Sequence, residues 1–175
     1  MPVVITAADV DGSLTWTKVI NAIEDGHRLP KAQIGDQFLG HAENTLLSRA
    51  AWIDGLGFGV KSVSVMSGNP NMGLPTVQGA MLVFEDRNGS LEAVIDSALI
   101  TNWKTAAVSV LGAKLLARPD SRSLLVIGAG SVAENLVYAY REAFPELNHI
   151  TIWNRTKTRA DQLKDKLAAK GLGIY

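Results

Sequence analysis

No cysteine occurs among the 175 residues, which removes disulfides, thiolate metal sites and thiol nucleophiles from the functions open to this chain. Histidine is scarce as well: His27, His41 and His149 are scattered without metal-ligand spacing, so no metal is expected. Neither sign of charge is in excess, with 17 Lys+Arg against 17 Asp+Glu, and nothing marks a nucleic-acid or anionic-membrane partner. Long hydrophobic runs are missing. Without about 18 consecutive uncharged apolar residues the sequence offers no membrane span. Met1-Pro2-Val3-Val4-Ile5-Thr6 lacks the basic flank and long apolar segment of a signal peptide. What is present is 47% apolar residues, the content of an ordinary globular domain. A soluble, cytoplasmic α/β protein is the expectation.

The first 120 residues and the last 55 read differently. Trp16, Val19, Ile20 and Ile23 fall on one helical face and predict a helix from about Thr15 to Arg28, with Ser13 and Thr15 as candidate N-caps. From Ala32 to Asp96 the pattern is β. Gln33–Leu39, Thr45–Trp52, Gly59–Met66, Val77–Phe84 and Leu91–Ile95 are short apolar runs separated by Gly, Asn, Pro or Asp. Asn88-Gly89 between two of them is a strong hairpin signal, so a mostly antiparallel sheet is expected. Gly68 to Pro75 is too rich in breakers for anything but a loop.

A helix rich in small residues follows, from about Thr101 to Ala117, and Arg118-Pro119-Asp120 ends it because proline disfavours helical geometry in the residue before it. That tripeptide is the expected boundary between a domain of residues 1–118 and a second of 119–175. The second reads strand, glycine loop, helix, strand, helix. Leu124 to Ile127 is continuously apolar, as in a strand covered on both faces. Two strands are fewer than the roughly six of a doubly wound sheet, so this reads as the first half of one, apparently truncated.

Gly128-Ala129-Gly130-Ser131-Val132-Ala133 fits G-x-G-x-x-G/A. It directly follows a strand and opens a helix, the context that gives the motif meaning. Gly128 permits the tight turn, Gly130 lets the backbone approach a pyrophosphate, and Ala133 keeps helix and strand close. The helix N-terminus, with Ser131 and Val132, offers free N–H groups to the phosphates. The end of the next strand selects the dinucleotide. Asn154-Arg155-Thr156 stands where an Asp or Glu would meet the ribose of NAD. Arg155 can grip a 2′-phosphate through its fork, so NADP(H) is favoured, with NAD(H) as the alternative.

Three other residues can carry chemistry. Lys61 lies in a strand otherwise built of Val, Gly and Ser, and either points to solvent or faces a site. Lys104 is expected near the start of the long helix, where the dipole disfavours a cation unless an anion binds beside it; otherwise it is a surface lysine. Arg49, in the run Leu46 to Trp52, is either a buried anion partner or an edge charge.

Gly59-Val60-Lys61-Ser62-Val63, Gly68-Asn69-Pro70, Gly73-Leu74-Pro75-Thr76-Val77, Thr101 to Ala107, Leu116-Ala117-Arg118 and Leu125 to Gly130 together resemble the ornithine cyclodeaminase/μ-crystallin family, in order and in spacing, over roughly Asn44 to Arg159. The resemblance implies a substrate-binding and dimerisation domain followed by a Rossmann domain, and a homodimer. It also implies an NAD(P)-dependent oxidoreductase acting on a small α-amino or imino acid. Such enzymes include ketimine reductases, Δ1-pyrroline-2-carboxylate reductase among them, and alanine dehydrogenases. Ornithine cyclodeamination is a second implied activity, and ligand binding without catalysis a third. By position Lys61 looks like the family's active-site lysine and Thr76 like its substrate-side threonine. Lys104 stands where many members have the arginine that holds the substrate carboxylate, a point charge in place of a fork. Arg49 would supply a second carboxylate contact.

Overall fold

The computed structural model describes residues 1–41 and 43–172. By their contacts these fall into two compact units, Met1–Ser13 with Asp25–Thr101, and Leu14–Glu24 with Asn102 onward. The chain therefore passes between units inside two helices, α1 (Trp16–Gly26) and α2 (Ser97–Leu116). The Arg118-Pro119-Asp120 turn ends α2 but lies within the second unit.

The first unit is a six-stranded sheet. Its strands are β1 (Val3–Ile5), β2 (Gln33–His41), β3 (Asn44–Ile53), β4 (Gly57–Met66), β5 (Val77–Phe84) and β6 (Leu91–Asp96). The order is β1-β6-β5-β4-β3-β2, antiparallel throughout except that β1 runs parallel to β6. All five expected strands form, and the apolar start adds a sixth. Asn88-Gly89 turns β5 into β6: Gly89 takes the left-handed φ of 68°, while Asn88 Oδ1 accepts from the Ser90 N–H and hydroxyl. Gly79, opposite Val63, is required by proximity, because a Cβ there would strike the Ser62 carbonyl. The Gly68–Pro75 loop holds a short 3-10 turn, Asn69–Met72. Buried Asn69 braces it by donating to the Pro75 carbonyl at 2.8 Å.

In the second unit Trp16 and Ile20 of α1 pack with Ala106, Ala107, Val110 and Leu111 of α2 and with Ala139 of α3 (Ser131–Ala143). Ala106 and Ala107 are fully buried, and their small size lets the helices approach. β7 (Ser123–Ile127) and β8 (His149–Trp153) pair in parallel. Val126 and Ile150 are covered by Ala133 and Val137 of α3 and by Leu163 and Leu167 of α4 (Lys157–Ala168). Burying a side chain such as Ile150 contributes about 1.5–3 kcal/mol. Both helices lie on one face of this sheet; on the other, Leu125 is 59% and Ile127 72% exposed. No helix of the described residues is long and apolar enough to cross a membrane.

Candidate functional site

Strand register assembles the polar residues of the sheet. Asp36 pairs with Arg49, Arg49 with Lys61, and Lys61 with Met81, in one row across β2 to β5. Because side chains alternate in a strand, aligned partners project from the same face. Lys61 is half-buried, and its Nζ donates to Thr101 Oγ1 at 2.6 Å. The Thr101 hydroxyl in turn donates to the Ser97 carbonyl at 2.6 Å. Lys61 thus faces α2 rather than bulk solvent.

Arg49 is not buried; it is an exposed, ion-paired charge on β3. Its Nε and Nη2 both donate to the Asp36 carboxylate at 2.6 Å, and its side chain is 62% exposed. Hydrogen bonding to Arg49 holds the Asp36 carboxyl below the usual carboxylate range, and the same bond raises Arg49. Thr76 is half-buried beside Met66, whose N–H donates to its carbonyl at 2.8 Å. It lies just before β5, five residues from Met81, the partner of Lys61, roughly 16 Å at strand rise. Register therefore joins Arg49 to Lys61 but does not make Thr76 their neighbour.

Lys104 is exposed, but it is not in the first turn of its helix. α2 begins at Ser97 because Asp96 Oδ1 accepts the Leu99 N–H at 2.8 Å, an N-cap that starts the helix four residues before the expected Thr101. Lys104 is the eighth residue, beyond the reach of unpaired N–H groups, and the dipole argument for an anion beside it falls.

The glycine loop has the form the motif predicts. Gly128 has φ 121°, open to glycine and strained for other residues, and its N–H donates to the Trp153 carbonyl at 2.8 Å. A Cβ added at Gly128 or Gly130 would meet no protein atom within 4 Å, so the space their missing side chains leave is open to a ligand. Gly130 is the N-cap of α3 and no side chain caps it, which leaves the N–H groups around Ser131 and Val132 for an anion. Ala133, 6% exposed, seats the helix against β7. These features fit a dinucleotide pyrophosphate.

Beyond β8, Asn154 donates to the Thr156 carbonyl at 2.9 Å, and Thr156 is the N-cap of α4, again without a side-chain cap. Arg155 is exposed. A cleft of about 470 Å³ opens from Gly130 and Ser131 between α3 and α4, lined also by Glu134, Arg159, Gln162 and Lys166. The reading of single residues did not reach Asp36, Thr101 or Arg159. The first two are reached through strand register and a helix turn. Arg159 is signalled only by its spacing, four residues past Arg155 on the start of α4.

Residues 2–175 match the model of the ornithine cyclodeaminase/mu-crystallin family. A Delta(1)-pyrroline-2-carboxylate reductase of Paracoccus denitrificans is 51% identical over 166 residues, 95% of this chain and 52% of that protein. The mouse ketimine reductase mu-crystallin is 39% identical over 105 residues, 58% of this chain and 32% of that protein. Among solved structures, an archaeal alanine dehydrogenase dimer with bound NAD superposes with a TM-score of 0.87 at 26% identity, over 99% of this chain and 55% of its own. The chain thus spans about half the length of the Paracoccus reductase and of the alanine dehydrogenase. With residues 2–175 matched to the family model and the glycine loop in its expected place, the chain belongs to the ornithine cyclodeaminase/mu-crystallin family.

Proposed function

We propose that the protein is an NADP(H)-preferring reductase of a cyclic imino acid, with Δ1-pyrroline-2-carboxylate as the leading substrate. The observation that carries this reading is the 51% identity to the Paracoccus reductase over 95% of the chain. The open glycine loop and the Arg155 turn support a dinucleotide and its 2′-phosphate. In this reading residues 1–118 serve substrate binding and dimerisation and residues 119–175 begin the dinucleotide-binding part. The exposed apolar side chains of β2, Ile34 at 63% and Phe38 at 65%, favour a second copy of the chain as partner. A cytoplasmic location accompanies it.

A bound nicotinamide supplies the reducing equivalent, and the chain supplies position and charge. Gly128, Gly130, Ser131 and Val132 hold the pyrophosphate, and Asn154, Arg155 and Thr156 hold the adenosine ribose. Lys61, held at Nζ by Thr101, orients the substrate carboxylate or moves a proton to the imine nitrogen as it becomes an amine. Lys104 binds the carboxylate and Thr76 borders the substrate. Arg49 is the second carboxylate contact, and a substrate takes it by replacing Asp36 on its fork.

The test is a substrate panel with the full-length protein. Oxidation of NADPH with Δ1-pyrroline-2-carboxylate, yielding proline, is expected. Ammonia and proline formed from ornithine without net cofactor turnover would replace this reading with cyclodeamination. Dinucleotide binding without turnover of any cyclic imine would replace it with a binding protein.

A further inference from the structure

We infer that Arg159 is a specificity-determining residue of the cofactor site, forming with Arg155 a two-arginine clamp on the 2′-phosphate. This rests on the NADP(H) reading above and adds a residue to it.

Three cations surround the turn from β8 into α4: Arg155, Lys157 and Arg159. Lys157 is engaged by Asp161, with Nζ–O distances of 3.1 and 3.3 Å. Glu134, the carboxylate lining the cleft, is held by Lys166 at 2.7 Å and lies 4.0 Å from Lys170. The carboxylate that lines the cleft is thus already matched by lysines. Arg155 and Arg159 enter no ion pair among the described residues.

Their setting also calls for an anion. Arg159 is in the first turn of α4, where the helix dipole is positive, and that turn holds no acidic residue. Two arginines and a helix start without a compensating carboxylate are an unfavourable collection unless a polyanion joins them. Arg159 lines the same cleft as Gly130 and Ser131, so a nucleotide seated on the glycine loop shares that cleft with it. A phosphate between two guanidinium groups accepts paired, charge-assisted bonds that a hydroxyl cannot match.

The probes are 2′,5′-ADP and 5′-AMP, which differ only in the 2′-phosphate. Their affinities for the 175-residue chain are measured by calorimetry, with circular dichroism to confirm that each variant folds. Wild type should prefer 2′,5′-ADP. Arg159→Ala should weaken 2′,5′-ADP about tenfold, the scale of one charge-assisted hydrogen bond, and leave 5′-AMP unchanged. Arg159→Lys should fall between, and Lys157→Ala should match wild type. Equal wild-type affinity for the two probes, or no binding of either, would overturn the NADP(H) reading and this inference with it. A wild-type preference that persists undiminished in Arg159→Ala would overturn the inference alone. So would an equal loss of both probes, since Arg159 would then hold the shared part of the nucleotide.

Discussion

Arg49 and Lys61 stand directly opposite one another on β3 and β4. Like charges at opposed positions destabilise a sheet unless other groups hold them. Here Asp36 takes the arginine fork and Thr101 receives a lysine proton. Under the proposed function these two cations are the ones assigned to the substrate carboxylate.

Replacing Lys61 should therefore act on substrate rather than on fold. Lys61→Met is expected to lower kcat/KM for a cyclic imino acid roughly tenfold to a hundredfold, the loss of one charge-assisted contact of about 1.5–3 kcal/mol. Thr101→Val, which removes only the hydroxyl that receives Nζ, should cost less. Steady-state kinetics of the full-length protein measures both, and a Lys61→Met enzyme equal to wild type would remove Lys61 from the site.

Lys104 is to be tested on different grounds from those its sequence position offers. It is exposed in the third turn of α2, so a carboxylate there binds the lysine and not the helix end. Lys104→Met should reduce kcat/KM about tenfold through KM, with NADPH affinity unchanged, and Lys104→Arg should retain more activity. Wild-type kinetics in Lys104→Met would make it a surface lysine.

The third prediction concerns stability. Glu142 of α3 caps α1: its Oε1 accepts the Thr17 N–H at 2.8 Å and the Thr17 hydroxyl at 2.7 Å, and its Oε2 accepts the Trp16 N–H at 3.3 Å. Burial pushes the Glu142 carboxyl up, but these bonds outweigh it and hold the group below its ordinary value of 4.5. The folded state thus favours the charged form. Its stabilisation is complete above that ordinary value and is lost as pH falls through the lower folded one. Glu142→Ala should cost about 0.5–2 kcal/mol at pH 7, the worth of an N-cap, and the gap from wild type should narrow in acid. Urea unfolding at pH 7 and pH 3.5 measures both, and a gap independent of pH would show that the carboxylate charge does not stabilise the cap.

Features settled within a few neighbouring residues were legible in the amino-acid sequence. The glycine loop needs only a strand, two glycines and a helix start, and Asn88-Gly89 carries the conformation its hairpin demands. Short apolar runs set off by Gly, Asn, Pro or Asp located β2 to β6 for the same reason, since run and breaker are both local signals. Tertiary structure decided whatever depends on a distant partner. Val3–Ile5 becomes a strand because Ala93–Ile95 lies beside it, and no feature of three apolar residues announces that pairing. Arg49 became the ion-pair partner of Asp36 because register set the two side by side, although paired and unpaired arginines look alike in sequence. The start of α2 was missed for a subtler reason: Asp96 ends a strand and caps a helix at once. A cap counts only where the chain actually turns, and that turn is fixed by the pairing of β6 with its neighbours rather than by the residues of the helix.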